Sequence, residues 1–310
     1  MALRNLEKFK PGMEEEKFKF ASIEITPEVQ EKAKKRLEKL KQTPLWDEDK
    51  EEWNEYIDED YEFVSSNRFS RSQLLGIIAE AIAGNQEEAK EHFRRLKEKS
   101  TFWDKDKEEW NEYVDKEGGF ISSDRFSQAQ LLGIITEALV GDSKKAKEQL
   151  EKLKQTPLWD KEKEEWNEYI DEDHEFVSSS RFSQTQLLGI ITEALVGDSK
   201  KAKEQLEKLK QTPLWDKEKE GWNEYIDKEG GFISLDRFSQ AQLLGVIAEA
   251  VAGNPEKAKE QLKKLKQTTL WDEDKEKWNE YINEDGIENP DFYSDAQLSG
   301  IIAEAVDESI

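Results

Sequence analysis

Five glutamates, Glu80, Glu137, Glu193, Glu249 and Glu304, occupy one position of a segment that recurs every 55 to 57 residues. Carboxyls that converge in a confined space raise one another's pKa and titrate as a group. Glycoside chemistry uses such groups, but needs two carboxyls in different protonation states. Five equivalent positions supply one environment, so these glutamates are expected to contact a neighbouring element or a ligand. Seven residues before each stands a glutamine: Gln73, Gln130, Gln186, Gln242 and Gln297. Arg68, Arg125, Arg181 and Arg237 also recur, four of only nine arginines. Each either pairs with a hairpin carboxylate or presents its fork to an anionic or polyol ligand. Tyr56, Tyr113, Tyr169, Tyr225 and Tyr281 are candidates for a cleft contact, with the apolar face of a sugar as the natural partner. Together the glutamates, glutamines, arginines and tyrosines form the candidate ligand-binding set.

Other chemistries are poorly served. Of the two histidines, His92 stands where sister copies have Gln149, Gln205 and Gln261, and reads as a solvated substitution. His174 falls in a turn. No histidine pair can converge on a substrate carbon, so no catalytic residue is assigned. The chain has no cysteine, which removes disulfides, thiolate metal sites and cysteine nucleophiles. The run Asp58-Glu59-Asp60 resembles a calcium loop, but the next copy reads Asp115-Lys116-Glu117-Gly118. No metal and no cofactor are expected.

Composition narrows the partners further. The 310 residues carry 47 basic and 71 acidic side chains, a formal charge of −24. That field disfavours nucleic acid and anionic membranes, and no apolar run reaches the length of a span. The N-terminal residues show no secretory h-region, so a soluble, cytoplasmic protein is expected. Ten Trp, fourteen Phe and seven Tyr supply the anchors of a real core. The Lys/Glu-rich, cysteine-free composition points to heat resistance.

The elements that must position these residues repeat as well. Trp46, Trp103, Trp159, Trp215 and Trp271 are each followed seven residues later by Trp53, Trp110, Trp166, Trp222 and Trp278. The third and fourth copies share DSKKAKEQLEKLKQTPLWDKEKE, as duplication or consensus construction would leave them. From Ser70 to Ala83 the sequence predicts a helix apolar around most of its girth, opened by an S-x-x-Q capping box with Phe69 and Leu74 as a hydrophobic staple, and closed near Gly84. The glutamine and glutamate lie on its narrow polar stripe, which would line a central lumen. A second helix, Asp142 to Gln155 in one copy, has a thin apolar seam of Ala146, Leu150 and Leu153 and reads as an outer helix. Between outer and inner helices the alternation from Trp166 to Asp171 predicts a strand, returning through Phe176-Val177-Ser178. Gly118-Gly119 and Gly230-Gly231 mark the turn in two copies. Trp46 and its equivalents are expected to be buried.

Five outer and five inner helices make a mainly α fold of five ~56-residue helix–helix–β-hairpin repeats. The chain starts on an outer helix and ends on an inner one. A closed (α/α)5 toroid would pair those two, and an open α-solenoid is the alternative. Residues 1–26 read as an N-terminal arm and 27–310 as one domain. The pattern W-D-x-x-x-x-x-W-x-x-Y-[IV]-[DN] with S-x-x-Q-L entering the inner helix resembles the α/α-toroid proteins. It is most similar there to the N-acylglucosamine 2-epimerase and cellobiose 2-epimerase group. That resemblance implies a carbohydrate ligand, six or seven hairpins against the five counted, and histidine acid–base chemistry that two scattered histidines do not support. Near-identity of the copies therefore favours a non-catalytic scaffold or binding module holding a small polar or carbohydrate ligand. The alternatives are a carbohydrate-active enzyme of toroid type, epimerase- or glycosidase-like, and an amplified or engineered repeat without activity.

Overall fold

The computed structural model describes residues 18–58, 64–65, 67–99, 101–114, 124–171, 177–178, 180–227, 234, 236–283, 288–289 and 291–310. Among them are ten helices: α1 (Pro27–Lys41), α2 (Ser70–Ile82), α3 (Gln86–Lys99), α4 (Ser127–Val140), α5 (Ser143–Leu153), α6 (Ser183–Leu195), α7 (Ser199–Leu209), α8 (Ser239–Val251), α9 (Pro255–Leu265) and α10 (Ser294–Glu308). The even-numbered helices are buried almost throughout. Each odd-numbered helix buries one seam, as Ala146, Leu150 and Leu153 do in α5. Thr26 and Asp142 cap α1 and α5 by accepting from backbone N–H groups. Gly84, Gly197 and Gly253 take positive φ just past inner helices, whereas Gly141 does not.

The S-x-x-Q motif is not a capping box. Ser70 is the first helical residue, and Phe69 precedes it without a side-chain cap. The Ser70 hydroxyl instead donates to the backbone oxygen of Asn111, 2.6 Å away in the next unit. Gln73 grips its own unit's hairpin: Oε1 accepts from Trp53 N at 2.8 Å and Nε2 donates to Trp53 O at 2.7 Å. All five glutamines repeat this pair. One turn on, Gly76 lets the Trp53 indole lie on the helix backbone; a Cβ there would sit 2.1 Å from Nε1. Gly133, Gly189, Gly245 and Gly300 do the same. Glycine weakens a helix, and here the buried indole explains its presence in the L-L-G or L-S-G run.

The hairpin common to all five units lies ahead of the predicted one. Trp159–Asp160 pairs with Glu165–Trp166, and every unit repeats this register. The turn holds Glu51, Glu108, Glu164, Glu220 or Glu276 at positive φ, a position that favours glycine or asparagine. Each of these glutamates reaches a basic residue of an outer helix: Arg95, Lys152, Lys208, Lys264 and Lys39. The expected return strand forms in the fifth unit, where Tyr281–Ile282 pairs antiparallel with Glu288–Asn289, and is reduced to isolated bridges in the first and third, Ile57 to Val64 and Ile170 to Val177. Phe176, Gly118-Gly119 and Gly230-Gly231 lie outside the described residues, as do Glu59, Asp60, His174 and residues 1–17.

The longer-range strand pairs join units. Arg68–Phe69 pairs antiparallel with Tyr113–Val114, Arg125–Phe126 with Tyr169–Ile170, Arg181–Phe182 with Tyr225–Ile226, and Arg237–Phe238 with Tyr281–Ile282. Phe292–Tyr293, from the last unit, pairs with Tyr56–Ile57 of the first. Inner helices contact sequentially, and α10 also packs against α2 and α1. Lys32 bridges Glu308 at 2.8 Å, Arg36 pairs with Glu304, and Lys39 bridges Glu276 at 2.6 Å. Of the expected N-terminal arm, Phe20, Ile23 and Ile25 are part of the core.

Candidate functional site

The predicted lumen-lining stripe faces outward. Gln73 is bound to the hairpin, and Glu80 meets Lys41 of α1 at 2.5 Å and His92 of α3 at 2.6 Å. Burial pushes the Glu80 carboxyl up, but His92 and Lys41 outweigh it and hold it below the usual range. The other four glutamates repeat the ion pair through Lys97, Lys154, Lys210 and Lys266. They tie the C-terminal end of each outer helix to the following inner helix. His92 is therefore no solvated substitution. At 100° per residue, positions 71, 75, 78 and 82 lie opposite the stripe. Apart from Arg71 these are Leu75, Ile78 and Ile82, all buried, so the helix face opposite the hairpin is greasy.

The arginines also bind protein. Arg68 meets Asp47 at 2.8 Å and Glu52 at 2.9 Å. Arg125 meets Asp104 and Glu109 at 3.0 and 2.8 Å, and Arg181 meets Glu165 at 2.5 Å. Gly221 stands at the glutamate position beside Arg237. In the fifth unit the arginine is Phe292 and the glutamate is Lys277, whose ammonium sits 3.4 Å from the Phe292 ring centroid. Tyr56, Tyr113, Tyr169 and Tyr225 stack on Tyr293, Phe69, Phe126 and Phe182 across the unit boundaries, and Tyr281 packs tilted against Phe238. Trp46 and its equivalents are half-buried. The deeply buried indoles are those of the Trp53 series.

What does converge is a set that the sequence reading missed, at the N-terminal ends of the inner helices. The residue after each serine reads Arg71, Gln128, Gln184, Gln240 and Asp295. The hairpins add Glu55, Glu112, Glu168, Glu224 and Glu280, one before each tyrosine. Arg71 bridges Asp295 at 2.6 Å and Glu112 at 3.1 Å, and Ser72 donates to Asp295 at 2.5 Å. Burial lowers the Arg71 pKa, but Asp295 and Glu112 overcome that and hold its charge firmly. Glu168 accepts from Thr185 at 2.6 Å and from Gln128 at 3.2 Å.

Burial dominates the electrostatics of this centre. It pushes Glu112 and Glu168 up to about 7, with Arg71 opposing it in both. Glu280 is pushed up to about 8, by burial first and then by the charge of Asp295, against the pull of Arg71. Burial raises Glu224 as well, against a hydrogen bond from Ser234. Glu112 Oε2, Gln128 Oε1 and Gln240 Nε2 are buried without a hydrogen-bond partner among the described residues. Buried polar atoms are rarely left so. Sequence carried one signal of this centre: Arg71 and Asp295 break a position that three sister units keep as glutamine. Among the described residues no cluster has metal-ligand geometry, and no helix is long and apolar enough to cross a membrane.

No family model and no curated protein sequence matches the chain. Solved structures do. A D-mannose isomerase superposes with a TM-score of 0.60 at 11% identity, covering 92% of this chain and 98% of the other. A cellobiose 2-epimerase from Bacillus thermoamylovorans gives 0.62 at 10% identity, over 92% and 87%. An endo-β-1,4-glucanase from Acetobacter xylinum gives 0.57 at 7% identity, over 92% and 99%. The expectation of a non-catalytic scaffold is thereby corrected, because these three solved proteins of similar shape bear the names of sugar-converting enzymes. The uniformity that argued against catalysis also fails at the centre, where Arg71 and Asp295 diverge. In fold the chain is similar to the α/α-toroid enzymes, the sugar epimerase group among them.

Proposed function

We propose that this chain is a carbohydrate-active enzyme, a closed ring of five α/α pairs that hydrolyses a glycosidic bond at the Glu280–Asp295 centre. Closure is supported by the pairing of Phe292–Tyr293 with Tyr56–Ile57 and by the ion pairs from α1 to α10. The observation that carries the chemistry is the unequal surroundings of two neighbouring carboxyls, Glu280 and Asp295. Glu280, raised to about 8, holds a proton at neutral pH. Asp295 is bound by the Arg71 guanidinium and the Ser72 hydroxyl. Glycoside hydrolysis needs that asymmetry: an acid that protonates the leaving oxygen and a carboxylate that assists water or the anomeric carbon.

In this reading Glu280 gives its proton to the glycosidic oxygen as the bond to the anomeric carbon breaks. Asp295 stabilises the positive charge that develops there, and Arg71 and Ser72 fix its orientation. Water supplies the hydroxyl and returns its remaining proton to the Glu280 carboxylate. Hydrolysis is favoured over epimerisation because His92, the histidine among the described residues, is bound to Glu80 rather than placed at the centre. Purified protein should release sugar from a panel of oligosaccharides and aryl glycosides. Glu280→Gln should lower kcat by at least about a hundredfold, the scale of one lost general acid, and remove the loss of activity near pH 8. Full activity in Glu280→Gln overturns the assignment.

A further inference from the structure

Away from that centre, a cavity of about 380 Å³ opens between the first hairpin, α2 and α3. Pockets with matching walls in the third and fourth units hold only about 40 and 60 Å³. Sequence accounts for the difference. His92 replaces the glutamine of the sister units and turns onto Glu80 at 2.6 Å, whereas Gln205 lines the smaller cavity. Arg95 replaces Lys208 and pairs with Glu51. Trp46, Ile77 and Phe102 give an apolar wall, and Glu52, Arg95 and His92 give polar edges.

We propose that this cavity is a second sugar site, which takes one neutral pyranose without reacting it. Its size falls in the range of small-molecule pockets. The lining carries Lys50 and Arg95 against Glu51, Glu52 and Glu80, so the basic and acidic charges nearly balance and neither an anion nor a cation is selected. A pyranose presents an apolar face and a rim of hydroxyls, matching indole and phenyl walls with an Arg–carboxylate–imidazole edge. The site shares no side chain with the carboxyl centre, and its existence does not depend on the reaction proposed there.

Calorimetric titration of the full chain with methyl β-glucopyranoside tests it. Wild type and Glu280→Gln should bind with the same affinity. The double variant His92→Gln, Arg95→Lys carries only sister-unit residues at those positions and should bind at least tenfold more weakly. Thr101→Trp, placed on the exposed rim of the cavity, should do the same. Glucose 6-phosphate and glucosamine should bind no more tightly than the neutral glycoside. Absence of saturable binding to wild type overturns the site. So does binding that survives in both cavity variants, or binding that disappears in Glu280→Gln.

Discussion

The glycine beneath each tryptophan shows how closely single residues are constrained. A Cβ at Gly189 would lie 2.2 Å from Trp166 Nε1, a distance no side chain accepts, and Trp166 is itself walled in. Gly189→Ala should destabilise the protein by about 1–3 kcal/mol, the usual cost of overpacking, read as a lower denaturant midpoint. Glu193 makes the complementary case. It is buried beside Lys154 and also meets Lys201 at 3.0 Å. Glu193→Ala should cost about 3–5 kcal/mol, because the lysines are left without their counter-charge, with stability again measured by equilibrium unfolding. Titration of Glu112, Glu168 and Glu280 adds a pH dependence. Their folded pKa values lie above the ordinary carboxylate value, so the native state holds more protons between about pH 4.5 and 8. Their stabilising contribution is full below pH 4.5 and is lost as pH rises through 7 to 8. Thermal melts should show Tm falling from pH 5.5 to 8.5, and Glu112→Gln should flatten that fall.

Elements explain which parts of this design could be foreseen. The helices and their inner or outer character followed from periodicity and from the helix-ending glycines. The direction of the polar stripe did not, because glutamine and glutamate suit a wet lumen and a dry hairpin contact equally well. Gln73 chose the backbone of Trp53, a residue 20 positions earlier, and no local pattern announces such a pair. The tight hairpin was misplaced for a related reason: its turn uses glutamates at positive φ, anchored by lysine or arginine on an outer helix, where glycine would have been the recognisable sign. The carboxyl centre hid in an ordinary N-E-Y motif until strand pairing between units brought its copies together. The Arg181–Glu165 pair suggests one repair at this scale. Gly221→Glu should restore the missing partner of Arg237 and raise stability by about 0.5–1 kcal/mol, because a Cβ there meets the hairpin-bound Gln242 at 3.2 Å and sister units hold Glu52, Glu109 and Glu165 beside glutamines bound in the same way. A Tm no higher than wild type would refute this.

At the scale of the whole molecule, α1 lies antiparallel beside α10, with Lys32 against Glu308 and Arg36 against Glu304. The junction thus resembles the covalent helix pairs elsewhere in the chain. A permutant that starts at Ser199, ends at Asp198 and joins Ile310 to Phe18 through a short linker should fold, with a circular dichroism spectrum and Tm close to the parent's. Deleting residues 288–310 from the parent should abolish cooperative unfolding, because it uncovers α2, α1 and the Tyr56–Ile57 strand together.

That edge strand has a further consequence. The Tyr56–Ile57 edge and the Phe292–Tyr293 edge complement each other but not themselves, so the match is head to tail rather than two-fold. A chain in which Tyr56–Ile57 has not yet paired with its own Phe292–Tyr293 can accept that segment from another molecule once the protein is concentrated enough to compete. Refolding at high concentration should therefore yield necklaces of linked molecules, while dilution favours the solitary bead.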